Sequence, residues 1–199
     1  MSLAHKMMES PIGKLKLVAS DRGLVAILWE KDSPRRVRLS DLVAKDQHPV
    51  LVETERQLGE YFAGKRKTFS IALDMRGTRF QKDVWKALLA IPFGETRSYG
   101  QLAKQLGNPR ATRAVGGANG KNPVSIIVPC HRVIGSSGKL TGFAGGLDAK
   151  ARLLSLEKQS DQAPSQTAGA FHTKRWDSPR AVTTQQEIEW RSTISRIPQ

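Results

Sequence analysis

The residues with the most chemical promise are the consecutive Pro129-Cys130-His131-Arg132. Cys130 is the one cysteine in a chain of 199 residues, which rules out an internal disulfide and any multi-cysteine zinc or iron–sulfur site. A lone cysteine is most often a buried small hydrophobe. Here the neighbours argue for reactivity. Pro129 has no N–H, so backbone pairing must loosen just before the thiol. The thiolate is the reactive form, and an adjacent histidine and arginine are the kind of neighbours that bring a cysteine pKa from about 8.5 into the range of about 3.5–7.5. A nucleophile also needs a base, and the base needs an orienting partner. His131 can be that base, directly or through a water. Residues 76–159 contain four carboxylates, Asp83, Glu95, Asp148 and Glu157, and composition does not choose among them.

The elements that must position this tetrapeptide are legible on both sides of it. Upstream, Phe80, Val84, Trp85, Leu88 and Leu89 form one helical face from Thr78 onward. Ser98-Tyr99-Gly100-Gln101 fits a capping box, Leu102, Ala103 and Leu106 give the following helix its buried face, and Gly107 ends it. Asn108-Pro109 then opens a second helix as N-cap and first-turn proline. This is helix-turn-helix spacing. The second helix, Arg110 to Asn119, is half Ala and Gly, which leave almost no side-chain bulk between Arg110, Thr112, Arg113, Val115 and Asn119. Part of it packs; the rest reads as a recognition helix whose small residues fit a groove while Arg113 projects. Val124 to Val128, after the Asn122-Pro123 turn, is expected to be a short buried strand leading into Cys130. Downstream, Gly135 to Gly138 is a turn and Thr141 to Gly146 a glycine-rich loop. Leu147 to Lys158 is a closing helix with Leu153, Leu154 and Leu156 inward.

The first 75 residues read as mixed α/β. Lys14 to Leu17 alternates like a strand, Asp21-Arg22-Gly23 is a turn, and Leu24 to Trp29 completes a hairpin. Val50 to Phe62 is a helix stopped at Gly64, and Thr68 to Leu73 is expected to be a further strand. Arg35-Arg36-Val37-Arg38 and Lys65-Arg66-Lys67 read as solvated basic faces. Residues 160–199, rich in Gln, Ser, Thr, Ala and Pro, read as a disordered tail.

With 39% hydrophobic and 25% charged residues the composition is that of a soluble globular protein. No apolar run reaches the roughly 18–20 residues of a membrane span, and the start lacks the apolar core of a signal peptide. A reducing intracellular compartment is therefore expected: cytoplasmic in a bacterium, nuclear in a eukaryote. The net charge of +14 points to a polyanionic partner. Residues 1–75 carry +3, residues 76–159 carry +10 and residues 160–199 carry +1. A nucleic acid should therefore meet the middle segment.

Pro129-Cys130-His131-Arg132-Val133, preceded by Arg113 to Ala118 and by Asn122-Pro123, resembles the O6-alkylguanine-DNA alkyltransferase family. Ser98-Tyr99 and Gly145-Gly146-Leu147 match in the same order and spacing. The resemblance covers residues 78–157 strongly and extends over the N-terminal segment. It implies an α/β N-terminal domain of structural role, residues 1–75, and a mainly helical winged-helix/helix-turn-helix domain, residues 76–159, that binds DNA and accepts the alkyl group. It further implies a monomer that acts on double-stranded DNA carrying O6-alkylguanine, and also O4-alkylthymine, with no cofactor or metal. Cys130 takes the alkyl group once and irreversibly, after the damaged base is flipped out. His131, through a water, takes the thiol proton, with Glu157 as its carboxylate. Arg113 enters the vacated stack. Tyr99 crowds the phosphate and hydrogen-bonds the base. The small helix residues Ala114, Gly116 and Gly117 approach the minor groove. Asn122 holds the turn, and Val133, Phe143 and Ala144 belong to the pocket. Two departures stand out: Phe143-Ala144 replaces a common Tyr-Ser, leaving the Ala144 N–H as donor to O6, and Ser125 replaces a common proline. His5 and His48 without an N-terminal cysteine argue against zinc there.

Two other classes were weighed. A non-catalytic relative that only grips lesions lacks the acceptor cysteine, and this chain has it. A Cys–His hydrolase is disfavoured by the adjacency of Cys and His, the helix pair and the basic bias, and would show turnover on a chromogenic ester.

Overall fold

The computed structural model describes residues 2–33 and 35–162. Two strands on either side of the Asp21-Arg22 turn, β2 (Leu15–Ser20) and β3 (Gly23–Trp29), pair antiparallel as the alternation predicts. Gly23 is required by close approach: a Cβ there would lie 2.4 Å from the Ala72 carbonyl oxygen. Two strands of the first half escaped the sequence reading. The first, β1 (Leu3–Met8), pairs antiparallel with β2, and β4 (Leu42–Ala44) pairs parallel with β1, giving the order β3-β2-β1-β4.

Both faces of this sheet are covered. Leu15, Leu17 and Ala19 face the main core together with helix α1 (Pro49–Phe62), whose buried stripe is Leu51, Thr54, Leu58 and Tyr61. Val18, Val25 and Ala26 face a smaller cluster under Val37, Leu39 and Leu42. The free edge of β3 is also occupied: Leu24 N donates to Ala72 O at 2.8 Å and Ile27 N to Pro123 O at 2.9 Å. The expected strand at Thr68 to Leu73 is therefore an irregular segment with one bridge, Leu24 to Leu73. It covers the edge and does not extend the sheet.

The second half is mainly helical. Helix α2 (Arg79–Leu89) is capped by Thr78 and Gln81 in a reciprocal box, with Val84, Trp85 and Leu88 buried. Phe80 and Leu89, expected on that face, are 39% and 45% exposed. After the short strand β5 (Arg97–Ser98), helix α3 (Tyr99–Gln105) starts in the expected capping box. Ser98 N donates to Gln101 Oε1 at 2.7 Å, and Gln101 N to Ser98 Oγ at 3.2 Å. Gly107, at φ +75°, ends α3 with its N–H on Lys104 O, and Asn108 N reaches Ala103 O. Asn108 makes no side-chain cap; the next helix begins as a 3₁₀ turn, Pro109–Ala111, and becomes α4 (Thr112–Gly120). The Trp85 indole N–H, donating to Ala118 O at 2.9 Å, fixes α4 against α2.

Strand β6 (Val133–Ile134) pairs parallel with β5, and helix α5 (Gly146–Gln162) closes the fold. That helix runs past the expected end at Lys158, and of the three expected leucines only Leu153 is fully buried. Its buried positions are Ala149, Lys150, Leu153 and Glu157. The rest of the expected tail, 163–199, lies outside the described residues. The main core contains Leu15 to Tyr61 positions from the first half and Val84 to Leu153 positions from the second, so the α/β half and the helical half share one apolar interior.

Candidate active site

Cys130 does not follow a strand. Val128 N donates to Val124 O at 2.9 Å, and Ile126 sits at φ +77°, so residues 124–128 form a tight turn in place of the expected strand. Positive φ is strained for a β-branched residue. Asn122 helps to hold it: its Nδ2 donates to Val128 O at 2.8 Å and its Oδ1 accepts from Val124 N at 3.0 Å. The Arg36 guanidinium donates in turn to the Asn122 carbonyl, to Ile27 O at 3.0 Å and to both oxygens of Asp32. Arg36 was expected on a solvated face; its side chain is 6% exposed, because this turn and the β3 edge supply the acceptors that a guanidinium needs when buried. Cys130, His131 and Arg132 then form a single 3₁₀ turn, all buried.

The carboxylate question is settled by distance. Glu157 Oε1 lies 2.7 Å from His131 Nε2. The same carboxylate receives a fork from Arg132, Nε to Oε2 at 2.8 Å and Nη2 to Oε1 at 2.9 Å, the Tyr61 hydroxyl at 2.8 Å and Gly94 N at 3.1 Å. Burial pushes the Glu157 carboxyl up, but the hydrogen bonds from His131 and Arg132 overcome it and hold the pKa at about 2. An ionised Glu157 accepts only, so His131 Nε2 carries the hydrogen and Nδ1 is the bare nitrogen. Nδ1 is buried and has no partner among the described residues. Burial also lowers the pKa of His131, so it rests as a neutral base. The thiol of Cys130 is pushed up by burial, and the side chains of Asn122 and Ser125 pull against that.

In front of the thiol lies an open cavity of about 570 Å³. Tyr99, Gly116, Asn122, Ser125, Phe143 and Ala144 line it, with Lys31, Arg35 and Lys121 at its rim. Thr141 Oγ1 donates to Tyr99 OH at 3.1 Å, which leaves the phenolic hydrogen of Tyr99 free to point elsewhere. Phe143 stands edge-on to Trp29, centroids 5.3 Å apart. Val133 does not reach this cavity: it is in the core, and its carbonyl is taken by Lys150 Nζ at 2.6 Å. Beyond the cavity, α4 buries Val115, Ala118 and Asn119 and turns Arg113, Ala114 and Gly117 outward. Nothing lies within 4 Å of a Cβ built on Gly117, so no internal packing demands a glycine there.

Three residues of this site, Lys150, Tyr61 and Arg36, escaped the sequence reading, and Ser125 stood out only as a departure from the family pattern. Lys150 and Glu157 bracket Leu153 on one helical stripe, so two opposite charges on an otherwise inward face were a readable signal. Tyr61 ends the apolar stripe of α1, where a buried phenol needs an acceptor. Arg36 gave no signal as a site residue, because two of its acceptors, Ile27 O and Asn122 O, belong to other segments. Among the described residues no cluster of three or more His, Cys, Asp or Glu could hold a metal, and no helix is long and apolar enough to cross a membrane.

Two family profiles match the chain: "6-O-methylguanine DNA methyltransferase, ribonuclease-like domain" over residues 3–75, and the "DNA binding domain" of the same name over residues 79–159. The methylated-DNA–protein-cysteine methyltransferase of Methanosarcina acetivorans is 50% identical over 153 residues, covering 77% of this chain and 97% of the relative. That of Mycobacterium tuberculosis is 66% identical over 156 residues, covering 77% and 92%. The crystal structure of Mycobacterium tuberculosis OGT in complex with DNA superposes with a TM-score of 0.73, at 48% identity in the structural match, covering 81% of this chain and 96% of that one.

Proposed function

The chain belongs to the 6-O-methylguanine DNA methyltransferase family, and from that premise we propose that Cys130 is the acceptor to which it transfers the alkyl group of O6-alkylguanine, and of O4-alkylthymine, in duplex DNA. It is a methylated-DNA–protein-cysteine methyltransferase, a single-turnover DNA repair protein, and its partner is DNA.

The observation that carries the assignment is a thiol lining the cavity, followed in the chain by a buried histidine whose Nε2 is held by the Glu157 carboxylate and whose Nδ1 is left without a partner among the described residues. His131 Nδ1 takes the thiol proton through a water, and the imidazolium so formed is stabilised by Glu157. The thiolate attacks the alkyl carbon; the S–C bond forms, the C–O6 bond breaks, and its electron pair goes to O6. The Ala144 N–H and the Tyr99 hydroxyl meet the base, the latter with its hydrogen left free by Thr141. Reaching the alkyl carbon requires the nucleotide to leave the stack, at a few kcal/mol. Arg113 fills the gap, and the small outward residues of α4 allow close approach to the minor groove. Residues 1–75 serve as the scaffold and residues 76–159 as the working part. The protein acts as a monomer in the cytoplasm, or in the nucleus of a eukaryote.

A thioether offers no hydrolysable leaving group and the chain has no second cysteine, so one molecule repairs one lesion. Incubation with a duplex containing O6-methylguanine should add the mass of one methylene to the Cys130 peptide and stop at equimolar repair. Cys130→Ala should abolish repair. Sustained turnover, or an alkyl group on another residue, overturns the assignment.

A further inference from the structure

Ser125 is fully buried in the turn that precedes Cys130, and it lines the same cavity as the thiol. Among the described residues its hydroxyl has no hydrogen-bond partner. Such an orphan is unusual, since a buried hydroxyl ordinarily finds an acceptor, and leaving it without one is unfavourable. The neighbouring Asn122 is different: its Oδ1 accepts from Val124 N, and one of its amide hydrogens goes to Val128 O. Of the two side chains that pull on the thiol by hydrogen bonding, only that of Ser125 is wholly uncommitted.

We propose that Ser125 is a catalytic residue of the acceptor site, its hydroxyl donating a hydrogen bond to the Cys130 sulfur in the thiolate and during attack on the alkyl carbon. A thiol is a weak acceptor and a thiolate a strong one. The orphan hydroxyl is therefore satisfied only when Cys130 is deprotonated, and the fold favours the reactive form by leaving this donor unused until then. No proton leaves Ser125; the thiol proton goes to His131. After transfer the sulfur is a thioether, again a weak acceptor. This inference rests on Cys130 being the acceptor.

Other charges also face the sulfur. Arg36 with Asp32 lies on the N-terminal side, Lys150 on α5, and His131 and Arg132, both tied to Glu157, on its own turn. Lys31, Arg35, Lys121 and the Tyr99 phenol complete the surroundings from the cavity rim and α3. None of these contacts is made through Ser125, so removing one oxygen isolates its effect.

The test compares the parent with Ser125→Ala in two measurements. The first is titration of thiolate absorbance, which needs no DNA and has a single cysteine as its source. The second is the single-turnover rate on O6-methylguanine duplex across pH, with the Cys130 peptide weighed at the end. In Ser125→Ala the thiolate midpoint should rise by about one unit, where one unit is a tenfold change in thiolate fraction. The neutral-pH rate should fall about three- to tenfold, because a more basic thiolate is also a somewhat better nucleophile. The rate deficit should close at high pH, and Ser125→Thr should recover most of the loss. An unchanged midpoint with an unchanged rate, or with a loss that is the same at every pH, overturns the inference and leaves Ser125 as a packing residue. An unalkylated Cys130 in the parent would instead overturn the acceptor assignment itself.

Discussion

Behind Cys130, five donors converge on the two oxygens of Glu157, and every participant except the half-buried Gly94 is buried. In front of it, α4 turns Arg113, Ala114 and Gly117 to the surface, and among the described residues the Arg113 guanidinium has no partner. The first region is finished before any DNA arrives: its charges are paired and its geometry fixed, as proton transfer in a low-dielectric site requires. On the proposed function the second is left unfinished: groups that are to meet a nucleic acid cannot already be satisfied by the protein. Mutations on the two sides should therefore fail in different ways, the first in chemistry and stability together, the second in DNA engagement alone.

The largest effect belongs to Glu157→Gln. Loss of the carboxylate removes the partner that orients His131, and general-base assistance is worth about 10²–10⁴-fold in rate. Duplex binding should be unchanged. The variant also leaves Arg132 as a buried charge without a counter-ion, which typically costs about 3–5 kcal/mol. The pH dependence gives a second signature. The folded pKa of about 2 lies below the ordinary value of 4.5, so the carboxylate contributes stability that is fully present above about pH 4.5 and lost as pH falls toward 2. Urea melts of the parent should show that loss, and Glu157→Gln should lack that component. A normal single-turnover rate in this variant would make the network purely structural.

The contrast also explains what could be read from the sequence. The outward face of α4 was legible because its signal is local: small residues and one Arg on a short helix are unusual in composition whatever surrounds them. Cys130 and His131 were legible because they are adjacent. Glu157 was reached only through the family resemblance, and its further partners Tyr61, Gly94 and Arg132 come from segments up to 96 residues away, so only folding reveals that they meet it. The turn at 124–128 was misread for a related reason. Its run of β-branched residues has strand composition, but the strained φ of Ile126 depends on clamps from Asn122 that no local pattern encodes.

The second effect, on the outward side, belongs to Arg113→Ala. An Arg that replaces a flipped base offsets part of the unstacking free energy, and each 1.36 kcal/mol of that is tenfold in rate. Repair of a lesion in duplex DNA should fall by about tenfold or more, while repair of free O6-methylguanine base should be nearly normal. A lesion opposite a mismatch should be affected less. The salt slope of binding should change by at most about one phosphate. If Arg113 is only a phosphate contact, affinity falls in a salt-dependent way and the saturating rate on duplex stays normal.

The smallest effect sharpens the comparison most, because one substitution can be made in both halves. Gly59 in α1 and Gly117 in α4 are both exposed, both helical, and both have open space where a Cβ would go. Glycine in a helix interior is about 0.8–1.0 kcal/mol less favourable than alanine. Gly59→Ala and Gly117→Ala should therefore raise stability by similar amounts, measured as urea midpoints at constant slope. Their effects on duplex affinity should diverge. Gly59 lies on the scaffold, and its methyl meets only water. On the proposed function a methyl on Gly117 stands on the face that approaches the groove, and should weaken binding a few-fold. Equal affinities for the two variants would mean that the bare surface of α4 is not where the DNA lies. Loss of stability at Gly117 would mean that its bareness serves the fold after all.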